Sequence, residues 1–114
     1  MASDILALTA ALAQGEQGLL TAISPGRGSR AWNDHYASDA EHLWAWAAAL
    51  REEYRAIVDA GLVLQIDDPL IAENMGPDHP RADGRGLPGL HPAAHRRLNH
   101  AIEGLPKERV RLHV

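Results

Sequence analysis

Residues 57–69 read IVDAGLVLQIDDP, and the fold class follows from two changes of character within them. Up to Asp59 the apolar residues keep helical spacing: Leu43, Ala47, Leu50, Tyr54 and Ile57 alternate steps of four and three and form one stripe. Gly61 then stops the helix, supplying the left-handed turn that glycine adopts without strain. Residues 62–66 are a nearly continuous apolar run, typical of a parallel strand covered on both faces. Asp67-Asp68-Pro69 ends that run abruptly.

Working outward, Ser38 and Glu41 form a capping-box signature that starts the long helix. Before it, residues 1–14 (MASDILALTAALAQ) read as a short helix. Residues 19–24 read as a buried strand closed by Ser24-Pro25-Gly26, and a loop with Gly and Arg runs on to about Tyr36. On the other side, residues 70–91 are irregular, with four Gly and three Pro among residues 76–89. A stretch of that kind is uncommon in a compact domain and usually functional. Pro92 suits the first turn of a further helix through Leu98 and Ile102, stopped by Gly104 and Pro106. Residues 109–114 alternate polar and apolar like a strand.

The expected order is helix, strand, helix, strand, helix, strand. Strands joined through helices run parallel with right-handed crossovers. Three parallel strands with both edges open make an uncomfortable independent domain. The expectation is therefore an α/β fold of about three parallel strands with intervening helices, a section of a larger sheet or barrel.

Bulk composition narrows the partners. Of the 114 residues 46% are apolar, enough for a packed core, and the net charge is -4 with no Lys/Arg block of the kind that grips nucleic acid. There is no Cys, hence neither a disulfide framework nor a thiolate cage. No basic leader and no apolar run near the roughly 20 residues of a membrane span occurs, so a cytoplasmic protein without nucleic-acid or membrane partners is expected.

Strand parity selects the candidate site. Val63, Gln65 and Asp67 share one face and Leu62, Leu64 and Ile66 the other; Arg109, Arg111 and His113 oppose Val110, Leu112 and Val114. The apolar faces should meet the helices, and the mixed faces should point to the opposite side, a barrel's interior. Asp67 and His113 then lie toward the carboxyl ends of their strands, where barrels keep active sites. A carboxylate and an imidazole converging there suit a cation, a metal or a shared proton. The plainer readings are a turn-capping Asp and a structural His. His91 and His95 have i, i+4 metal spacing, but with Arg96 and Arg97 beside them they read better as a solvated face. His35, His42 and His79 have no partner at useful spacing. Trp32 and Tyr36 read as packing before pocket mouth, and Arg27 and Arg30 as surface charge before anion holders.

The stretch EEYRAIVDAGLVLQIDDPLIAENM, residues 52–75, resembles the cobalamin-independent methionine synthase family, closest to its smaller single-barrel branch. Ser24-Pro25-Gly26 resembles a strand-end motif of these proteins, and LNHAIEGLPKERVRLHV, residues 98–114, the approach to their metal-binding His-x-Cys. The similarity covers about residues 20–114, and Gln-Ile-Asp-Asp-Pro is its most specific part. It implies a TIM barrel in which zinc binds a substrate thiol as thiolate, lowering its pKa and aligning sulfur with a methyl donor. In the family's methionine synthases the acceptor is homocysteine and the donor a methyltetrahydrofolate polyglutamate. On this chain His113 matches the zinc-binding His; Asp67, with Gln65, matches the substrate-binding strand end, where the carboxylate holds the amino group.

Residues 1–114 are accordingly expected to be one fragment of a single catalytic barrel, with the Cys after Val114 and the later zinc ligands absent, and inactive and poorly folded alone. Two rivals accompany this expectation. One is zinc-dependent alkyl transfer to another thiol such as coenzyme M, and the other is an inactive truncated remnant.

Overall fold

The computed structural model describes residues 1–30, 32–69 and 92–114, with side chains described outside 28–30 and 92–94. The irregular stretch at residues 70–91, with His79 and His91, lies outside the described residues, as does the Arg30 side chain.

The first helix, α1, spans Ala2–Ala11, and strand β1, Leu19–Ile23, follows it. Then comes a short 3₁₀ helix at Pro25–Arg30, where the sequence suggests only loop. Next are α2 at Asp39–Asp59, β2 at Val63–Asp67, α3 at Pro92–Ile102 and β3 at Val110–His113. The strands form one sheet in the order β1-β2-β3, both pairs parallel. The expected mixed α/β arrangement of three parallel strands and three helices is therefore present. None of the described helices is long and apolar enough to cross a membrane.

Local chemistry explains where α2 begins and ends. The Glu41 N–H donates to Ser38 Oγ at 3.2 Å, satisfying one free donor of the first turn. Among the described residues the Glu41 side chain does not return the bond, so the capping box is half made. At the far end Gly61 takes φ +82°, and the chain enters β2 two residues later.

Leu50, Tyr54 and Ile57 of α2 are buried against Leu62, Leu64 and Ile66, with Ala22 and Ala101 completing the cluster, and Ala47 of α2 is buried as well. Leu43 is only half-buried, and His42 beside it is buried instead. The packing of α2 against α3 is tied by Arg51. Its Nη1 donates to the His100 carbonyl at 2.6 Å and approaches Glu103 Oε2 at 3.2 Å, while Nη2 reaches the Glu103 carbonyl. A cation there also suits the negative end of the α3 dipole.

One expectation about the helix-facing side needs correction. Val110 packs against the core, but Leu112 and Val114 are 53% and 58% exposed. The helix layer covers the centre of the sheet, where α2 packs on β2 and on α3. As an edge strand, β3 carries its last residues beyond that cover. Alternation assigns a face but says nothing about whether a helix reaches it.

Candidate functional site

The pairing register decides which side chains meet. Parallel pairing sets Gln65 beside Arg111 and Asp67 beside His113, and on the other side Ile23 beside Asp67. Asp67 and His113 are the last residues of their strands, so both stand at the carboxyl edge of the sheet. His113 Nδ1 lies 3.1 Å from Asp67 Oδ1, and Gln65 Nε2 donates to the same oxygen at 3.0 Å. The two expected residues are thus brought together, on the sheet face away from the core. The Asp67 side chain is 38% exposed and that of His113 69% exposed. In so wet a place an ion pair contributes little to stability, and its use is geometric.

Gln65 stands on the same face, half-buried. Its amide is spent on Asp67 within its own strand, two residues apart. It therefore positions the carboxylate with one of the two N–H donors of its amide.

Behind this face lies a second polar group, made by Ser24 of the Ser24-Pro25-Gly26 segment and by Asp68. Ser24 is fully buried and Asp68 is 8% exposed; neither Ser24 Oγ nor Asp68 Oδ1 has a partner among the described residues. A methyl group added at Gly26 would stand 3.4 Å from Ser24 Oγ and 3.8 Å from Asp68 Oδ2, so all three residues converge. Backbone bonds join the two groups: Ser24 N donates to the Asp67 carbonyl, and Asp68 N to the His113 carbonyl. The parity rule contains the signal. Asp68 continues the series Leu62, Leu64, Ile66, and that series faces the helices.

Tyr54 closes the arrangement by donating its hydroxyl to the Ile23 carbonyl at 2.6 Å. Burial raises its phenol well above the usual range, with the negative charges of Glu53 and Asp68 acting in the same direction.

The remaining candidates stand apart. His42, expected to be without a partner, accepts a hydrogen bond from Trp46 Nε1 at 2.9 Å and stacks on Tyr36 with ring centres 5.5 Å apart. An i, i+4 contact on α2 produces the first, and the fold of the preceding loop the second. Trp32 is 90% exposed and so does not pack as expected. His95 and Arg96 are exposed, and Arg27 is half-buried.

A catalytic zinc takes about three protein ligands. The carboxyl edge offers one imidazole beside one carboxylate, and no group of three His, Cys, Asp or Glu side chains able to hold a metal occurs among the described residues. These residues by themselves do not fit a zinc centre. The purified chain, loaded with zinc and desalted, is expected to retain far less than one equivalent. A metal analysis giving a tightly held stoichiometric zinc would contradict this.

Set against protein-family profiles, curated proteins and solved structures, the chain matches none of them.

Proposed function

We propose that this chain is a section of an α/β barrel that alkylates a thiol, with homocysteine as acceptor, in the manner of the zinc-dependent, cobalamin-independent methionine synthases it resembles. One observation supports the reading above the others: Asp67 and His113 meet at 3.1 Å on adjacent parallel strands, at the carboxyl edge where barrel enzymes work. In this proposal Asp67 binds the substrate ammonium through Oδ2, which accepts no hydrogen bond among the described residues. His113 would enter a zinc site only as one ligand, joined by others from outside the described residues.

A second reading has its own observation. Arg111 is exposed on the same face, opposite Gln65 and two residues before His113. A guanidinium there suits a sulfonate, as an acceptor of the coenzyme M type requires.

Calorimetric titration separates the two. L-homocysteine is expected to bind, and Asp67→Ala to weaken it by about tenfold, the low end for a hydrogen bond to a charged group because Asp67 is partly hydrated. Blocking the amino group of the ligand should cost as much. Binding of 2-mercaptoethanesulfonate that survives Asp67→Ala but fails in Arg111→Ala would favour the second acceptor. A chain that binds neither thiol would count against both.

A further inference from the structure

Asp67 Oδ1 receives two approaches, from Gln65 Nε2 at 3.0 Å and from His113 Nδ1 at 3.1 Å. An ionised carboxylate only accepts, so a hydrogen bond at that distance requires the proton to sit on Nδ1. A free imidazole in water prefers its proton on Nε2. The strand-end geometry opposes that preference.

From this we infer that Asp67 is a positioning residue that holds His113 in its Nδ1–H tautomer and leaves the lone pair on Nε2, and that Gln65 sets the angle of Asp67. The three residues form a line in chemical order. Gln65 is half-buried in the central strand, so its amide is anchored by the sheet. It steers the carboxylate two residues on, which lies on the same face because strand side chains repeat every second residue. The carboxylate in turn reaches across to the imidazole of its register partner on the neighbouring strand. Fixing a histidine through its second nitrogen is how proteins select the nitrogen that meets a ligand. Here that nitrogen is Nε2, on an imidazole 69% open to solvent. The orienting pair is therefore built into the chain's own two strands, before any ligand arrives.

The inference deepens the proposed function and rests on it only for what finally meets Nε2. Its test uses neither thiol nor metal, so the two fail separately. Long-range proton–nitrogen NMR of the 15N-labelled chain in mildly alkaline solution, with neutral imidazoles, reads the tautomer of each His directly. The His113 signals are assigned by their loss in His113→Gln. We expect Nδ1–H to be the majority form at His113, and Asp67→Ala to invert the ratio toward Nε2–H while His42, held by Trp46, keeps its own pattern as an internal control. Gln65→Met should move His113 part of the way. A native chain whose His113 is mainly Nε2–H would overturn the inference, as would an Nδ1–H majority that persists in Asp67→Ala. Should Asp67→Ala not fold, Asp67→Asn, whose amide oxygen is a weaker acceptor, must still shift the ratio toward Nε2–H; no shift there overturns it equally.

Discussion

Replacing Tyr54 by Ala is expected to remove most of the chain's stability. Tyr54 is fully buried at the centre of the α2 face and packs in the cluster with Leu50, Ile57, Leu64 and Ile66. Removing a buried aromatic ring leaves a cavity and costs about 3–5 kcal/mol. A small domain with a sheet open at both edges has only about 5 kcal/mol in hand, the low end of the usual range. Tyr54→Phe keeps the ring and loses only the hydroxyl bond to Ile23, so it should cost about 1 kcal/mol. Urea unfolding followed by circular dichroism distinguishes the two. Equal losses would mean that the hydroxyl and not the ring sustains the core.

The same hydroxyl carries a pH signature. Its folded pKa is raised above the unfolded value of about 10, because burial disfavours the phenolate. Above that pH the unfolded chain releases a proton that the folded chain keeps, so stability must fall as the solution becomes more alkaline. The contribution is complete below about pH 10 and is lost as pH climbs toward the raised folded value. Tyr54→Phe removes this source of alkaline loss. A native chain whose stability shows no greater decline than Tyr54→Phe above pH 10 would refute the assignment.

Leu64→Ala and Leu112→Ala should differ severalfold in cost although both residues are leucines on the helix-facing parity of their strands. Leu64 is fully buried on β2, flanked by Leu20 of β1 and Val110 of β3 and covered by α2. Its truncation should cost about 2–5 kcal/mol. Leu112 is 53% exposed on the edge strand, and its truncation should stay within about 0.5 kcal/mol. Comparable midpoint shifts in denaturant would show that a helix covers Leu112 in solution.

That pair also marks how far the sequence can be read. Strand parity and the helical stripe depend on local geometry: side chains repeat every second residue in a strand and every three to four in a helix. The order of elements, the parallel pairing and the common face of Asp67 and His113 were all legible for that reason. Burial of Asp68 was legible too, since it continues the series of Leu64 and Ile66, although the Asp-Asp-Pro pattern draws attention to turn capping instead.

Other features depend on register and on what lies above a face, and these arise from contacts between segments far apart in the chain. Asp67 meets His113 across 46 residues, and Tyr54 finds the Ile23 carbonyl across 31. Gln65 could be placed on the site's face from its number, but only the side-chain path shows that its amide turns along the strand to Asp67. Likewise His42 lacks a partner by motif spacing and gains Trp46 and Tyr36 once α2 and its leading loop are folded. The sequence by itself determined three parallel strands separated by helices and the face on which the acid and the imidazole lie. Only tertiary structure decided which pairs touch, and which apolar residues of the edge strand stay wet, because register and cover are properties of the assembled layers and no local period encodes them.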